Sequence, residues 1–180
     1  MTLVPLQFGA SKPRSEDVPD VLVDCHQRMR QFTTLAAELA ARPSVPPEEV
    51  REVAAQIHRY FTVALPLHEE DEERSLFPRL LARARELAPT IASLREDHAA
   101  HAERVAALLS VCGELKSAPE RADALRGALG RAAQALADAW SLHLTAEEQD
   151  VFPAVRTVLS AEDRDAIRRE MKERRARLPR

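Results

Sequence analysis

Apolar residues return along this chain every three or four positions, the spacing that gathers side chains on one face of an α-helix. The first run follows Ser15-Glu16-Asp17, a helix opening that tolerates Pro19 in its first turn. Val18, Leu22, Met29, Ala36 and Leu39 keep its period to about Arg42, where RPSVPP breaks the chain. A second run starts near Pro47-Glu48 and carries the stripe Val50, Val53, Ile57, Phe61 and Leu65. Pro66 inside it predicts a kink, because proline removes a backbone donor and crowds the preceding turn. Pro78 predicts another disturbance before the run ends near Leu87. A third run extends from about Pro89 to Cys112 through Ile91, Leu94, Val105 and Leu108, with Gly113 as its expected stop. A fourth begins near Pro119 and follows Leu125, Leu129, Ala132, Leu136 and Trp140 towards Val151.

Ser160-Ala-Glu-Asp has the form of a capping start for a short charged helix over 161–177. Four long helices with short links predict an all-α fold, an antiparallel up-down-up-down four-helix bundle. The expected organisation is an irregular N-terminal arm over 1–17, the bundle over 18–159 and a charged C-terminal helix over 160–180.

Composition agrees with this picture. The 180 residues suit one domain, with only 4 Gly and 45% apolar residues, enough to bury a substantial core. A net charge of −3 gives no general argument for nucleic acid or a membrane surface as partner. Cys25 and Cys112 stand at unrelated spacings, neither a disulfide framework nor a CxxC motif. The N-terminus lacks a basic start followed by an apolar run, and no stretch approaches the ~18 apolar residues of a membrane span. The expectation is a cytoplasmic protein, monomeric or homodimeric.

Chemistry enters through a repeat. HEEDEERSLFP from His68 and HLTAEEQDVFP from His143 share Glu at +4 and +5, Phe at +9 and Pro at +10, and lie 75 residues apart. Asp24-Cys25-His26 and Glu96-Asp97-His98, 72 apart, each place a His behind acidic residues. The domain therefore reads as a duplicated helix pair. A His and a Glu four apart share a helix face. His68 and Glu72 continue the stripe of Ile57, Phe61 and Leu65; His143 and Glu147 continue Leu129, Ala132 and Leu136. His26 lies four after Leu22, and His98 four after Leu94. Imidazoles and carboxylates thus converge on an apolar interior. Burying two carboxylates without compensating charge is costly, and bound cations resolve the conflict. Mixed imidazole and carboxylate ligation suits iron, manganese or zinc.

A His, an HxxxE, a His and an HxxxE on four successive helices, with Leu76-Phe77-Pro78 and Val151-Phe152-Pro153 behind, resemble the hemerythrin-like, or HHE cation-binding, family. The resemblance covers about residues 18–157. It implies two iron ions, joined by an oxo or hydroxo bridge, held by His26, His68, Glu72, His98, His143 and Glu147. Glu72 and Glu147 would be the bridging carboxylates. The chain departs from oxygen-carrying hemerythrins in having His98-Ala-Ala-His101, three apart, where they have histidines four apart, and Glu147 where they use aspartate. His101 lies on the inward stripe and is open to two roles, a fifth imidazole ligand or a donor that orients another ligand.

The resemblance implies a non-haem di-iron protein that binds or senses dioxygen or a related small oxidant. Two alternatives stay open: a di-iron enzyme acting on hydrogen peroxide, nitric oxide or an organic substrate, and a metal-stabilised regulatory module. Whether the chain is an enzyme at all is undecided at this level. The remaining polar residues have ordinary readings: a solvated helix face for Glu70, Asp71 and Glu73, and a partly exposed His58. Glu69 is a possible additional metal contact, Phe77 and Phe152 are core packing, and Cys25 is a buried inert thiol. Ile167, Met171 and Leu178 make the terminal segment an amphipathic helix that docks on the bundle.

Overall fold

The computed structural model describes residues 17–178, so the expected arm lies outside the described residues except for Asp17. Helix α1, Val18–Ala41, is capped by the Asp17 carboxylate, which accepts from the Val18 amide at 3.0 Å. The second helical run, α2, covers 47–83 and is not uniform. It is α-helical over Pro47–Arg59, widens into a π turn over Tyr60–Ala64, and resumes over Leu65–Asp71. A second π turn follows at Glu72–Leu76, before the final segment Phe77–Arg83. Helix α3, Ala88–Ser117, follows a short 3-10 turn. Helix α4 covers 122–158 with a π turn of its own at Glu147–Val151. Helix α5, Ala161–Ala176, starts from the expected capping box, with Ser160 and Asp163 bonding each other's backbone amides.

Prolines explain the π turns. Pro66, Pro78 and Pro153 each stand two residues beyond such a turn, where an α-helix would have to accommodate a missing donor and a clashing ring. The residue before each proline bonds five residues back instead: Leu65 to the Tyr60 carbonyl, Phe77 to Glu72 and Phe152 to Glu147. The disturbances expected at Pro66 and Pro78 therefore take the form of widened turns, and the run stays helical through both. Gly113 does not stop α3, which continues to Ser117. Its missing side chain faces open space and its φ is negative, so no left-handed cap forms there.

The helices contact one another in a closed cycle, α1 on α2, α2 on α3, α3 on α4 and α4 on α1. Their apolar stripes form two separate clusters. The larger holds Met29, Phe32, Ile57, Phe61, Leu108, Leu136, Trp140 and neighbours. The other holds Val18, Leu22, Phe77, Leu80, Leu94, Phe152 and Val155, together with Ile167 and Met171 of α5. Leu178, expected to join that contact, is exposed. Among the described residues no helix is long and apolar enough to cross a membrane.

Candidate metal centre

Between the two apolar clusters lies a polar layer. His26 falls between Leu22 and Met29, His68 and Glu72 between Leu65 and Leu76, and His143 and Glu147 between Leu136 and Val151. His26, His68, Glu72, His143 and Glu147 are buried, and His98 is 10% exposed. Each helix thus turns its stripe from apolar to ligand-bearing at the same level.

The four imidazoles meet the four carboxylate oxygens one to one. His26 Nε2 lies 3.1 Å from Glu147 Oε2, and His143 Nε2 lies 3.5 Å from Glu147 Oε1. His68 Nε2 lies 3.5 Å from Glu72 Oε1, and His98 Nε2 lies 3.5 Å from Glu72 Oε2. Among the described residues the Nε2 atoms of His26, His68 and His98, and all four oxygens, are buried without a hydrogen-bond partner. Buried polar groups are ordinarily satisfied, so a concentration of orphaned donor atoms in one layer calls for a cation. His26, His68, Glu72 and Glu147 form one group close enough to share an ion; His98, His143 and Glu147 form another. Glu147 belongs to both.

Protonation reflects the same crowding. Burial, then the neighbouring Glu147 carboxylate, pushes the Glu72 carboxyl well above its usual range. Burial pushes Glu147 in the same direction, but the His26, His143 and His68 imidazoles outweigh it and hold it at about 2. Burial drives His68 down to about 3 and also lowers His143, which keeps these rings neutral and able to ligate.

The outer ring nitrogens show what sequence reasoning missed. His26 Nδ1 lies 2.8 Å from Glu148 Oε1, and Arg30 donates to the same oxygen at 2.9 Å. His98 Nδ1 lies 3.1 Å from Glu73 Oε1, whose other oxygen accepts from Arg95 at 2.7 Å. His143 Nδ1 lies 3.3 Å from Asp97 Oδ2, while His68 Nδ1 has no partner among the described residues. Glu73 is therefore not simply solvated face, as expected, and Glu148 has the matching role. The signal was present in the doubled Glu-Glu of the repeat. Phe77 and Phe152 follow the same rule: Phe77 stacks on the His98 ring at 6.3 Å and Phe152 lies against His26 at 5.2 Å. They are core residues and also walls of the centre.

Asp71, also read as solvated, is buried and paired with Arg174 and Arg175. Glu70 keeps surface ion pairs with Arg74 and Arg174. Glu69 is partly buried, its carboxyl raised by that burial, and it belongs to neither group. His101 is buried edge-on to His143 at 5.0 Å, and it too is in neither group. Of the seven residues named from sequence, the structure brings six together and leaves His101 beside them.

A family model for the hemerythrin HHE cation binding domain matches residues 17–155. The chain belongs to this hemerythrin family. The match runs from the cap of α1 past the Phe-Pro of α4, and so contains every residue of the polar layer. Cation binding is the property that this HHE domain carries, and the buried His and Glu layer fits a metal site. No curated protein matches the chain.

Proposed function

We propose that the protein is a non-haem di-iron protein whose buried centre meets dioxygen or a related small oxidant. The observation that carries this reading is the one-to-one pairing of four imidazole nitrogens with the four oxygens of Glu72 and Glu147. His26, His68, Glu72 and Glu147 would hold one ion and His98, His143 and Glu147 the other, with Glu72 facing His98 as well. The helix cycle and short links support an antiparallel up-down-up-down bundle as the frame that brings these faces together.

When bound, iron supplies redox chemistry towards a small oxidant; manganese suits the same donors, and zinc would lack that chemistry. The chain's own residues do the rest. Glu148 and Glu73 fix the His26 and His98 rings so that Nε2 faces inward. Phe77, Phe152 and the two apolar clusters exclude water from the layer, which restricts proton entry. Eight donor atoms face a need of about twelve for two six-coordinate ions, so exchangeable positions remain.

Metal analysis of the purified protein, joined to anaerobic reduction and then air, tests the reading. The expected result is about two iron per chain and an absorption change that requires oxygen. A diferrous protein indifferent to oxygen would overturn it.

The position of His101 favours a second reading. Because it lies outside both groups, the open positions are more numerous than a fifth ligand would leave, which suits turnover of hydrogen peroxide, nitric oxide or an organic substrate. Oxygen evolution from hydrogen peroxide above that of free iron distinguishes peroxide turnover from simple binding.

A further inference from the structure

The duplicated motif is uneven on one flank. Asp71, Ser75 and Arg79 of the first copy correspond to Ala146, Asp150 and Ala154 of the second. In the first copy Asp71 and Arg79 flank the π turn Glu72–Leu76, Ser75 lies within it, and all three are engaged by α5. Arg174 Nη1 donates to Asp71 Oδ1 at 2.6 Å, and Arg175 Nη2 lies 2.8 Å from Oδ2. The Ser75 hydroxyl donates to Glu170 at 2.5 Å and accepts from Arg174. Arg79 donates to both Glu170 oxygens, at 3.1 and 2.6 Å, and to the Ser75 carbonyl at 2.9 Å.

Docking of α5 does not require this network. Ile167 and Met171 already pack the helix into the smaller cluster, and Ser160 caps it. An aspartate is almost never fully buried unless paired, and a buried ion pair adds little net stability over apolar contact. The π turn does not require it either, because Glu147–Val151 forms the same turn behind Ala146. What the network does supply is a fixed position for the backbone from which Glu72 projects.

We propose that Asp71, clamped by Arg174 and Arg175, is a positioning residue for Glu72, so that the C-terminal helix sets the affinity of the metal centre. Asp71 touches no ligand atom of the centre and acts through the turn it precedes. The coupling is reciprocal: a cation on Glu72 holds α5 docked, and a docked α5 holds Glu72 for the cation. The inference rests on the metal-binding reading above, but its test has an arm that does not.

The test uses the full chain with Arg174→Gln and Arg175→Gln together, Asp71→Asn as the second route, and Leu39→Ala as a control in the other cluster. Co²⁺ is the probe, read by chelator competition and by its ligand-field bands. Amide exchange at 72–77 is read in metal-free protein. The clamp predicts Co²⁺ affinity lowered ~10-fold or more, altered bands and exchange at 72–77 faster by about 10-fold, with Arg-to-Lys replacements restoring part of each. Leu39→Ala lowers the melting temperature yet leaves the bands and the exchange at 72–77 unchanged. Wild-type affinity, bands and exchange in the Gln and Asn variants would overturn the clamp, as would the same loss in the control. If the wild-type protein takes up no Co²⁺, the metal reading fails separately, and exchange at 72–77 alone decides the clamp.

Discussion

Three carboxylates touch the outer nitrogens of the histidines in the polar layer, and their geometries differ enough to rank. Glu148 approaches His26 Nδ1 to 2.8 Å, is 30% exposed and is itself held by Arg30. Arg30 and His26 outweigh the effect of burial and keep its carboxyl below the usual range, so it is ionised when it accepts the ring proton. Glu73 reaches His98 at 3.1 Å with Arg95 behind it. Asp97 reaches His143 at only 3.3 Å and is 44% exposed, where water competes and salt screens. Replacing each with its amide keeps the shape and an acceptor oxygen but removes the charge that strengthens the bond. Outer partners of this kind typically change metal affinity 10–100-fold. Glu148→Gln and Glu73→Gln are expected near ~10-fold, about 1.4 kcal/mol, and Asp97→Asn at roughly 3-fold or less. The two Gln effects are expected to add, since they act on different rings. Competition between the protein and a chromogenic chelator for Co²⁺ or Zn²⁺ measures all three, with helical signal and melting checked alongside. An Asp97→Asn effect equal to the others, or none above 2-fold, would refute the ranking and with it the role assigned to the doubled glutamate.

Because Glu147 belongs to both ligand groups, Glu147→Gln is expected to remove most bound metal, whereas His98→Ala retains about half, as measured by metal content after desalting. Metal at ~100 times its dissociation constant adds about 2.7 kcal/mol, so loading is expected to raise the melting temperature by roughly 5–10 °C and chelation to reverse it. Burial holds the Cys25 thiol at about 11 and the Cys112 thiol at about 12, so native protein at pH 8 is expected to react slowly with alkylating agents, and both thiols to react on unfolding. Rapid alkylation of Cys25 in native protein would contradict the packing around His26.

The helices were legible because a single period of apolar positions is enforced wherever a face is buried, and the residues of the polar layer sit on that same period. Val18, Leu22, His26 and Met29 illustrate it: one stripe passes through the smaller cluster, the polar layer and the larger cluster. What the period does not encode is an inserted residue. A π turn shifts the register by one, as it does at Glu72–Leu76 and Glu147–Val151. The prolines were read as kinks because their local effect is steric, while the response of the chain depends on the five-residue bond that Phe77 and Phe152 make. Gly113 was misread for a related reason: glycine permits a helix stop but does not compel one. Charged residues were the least legible. Asp71 and Glu73 lie two apart in an acidic run, and only the helices facing them decide that one meets α5 and the other His98.

The spacing of the motif now has a physical account. In H-x3-E-E-x3-F-P the His and the first Glu supply the centre from their own helix, one turn apart. The proline forces a π turn to begin at that Glu, in both copies. The second Glu and the Phe then reach not their own histidine but one on another helix, His98 for the first copy and His26 for the second. That explains how α1 and α3 can each place a histidine in the polar layer without a motif of their own. It also explains why His68 Nδ1 has no carboxylate: each motif's second acid serves across the bundle, and the acid that reaches His143, Asp97, comes from α3. Every copy therefore orients a histidine it does not own, and the polar layer is complete only when the halves are folded against each other.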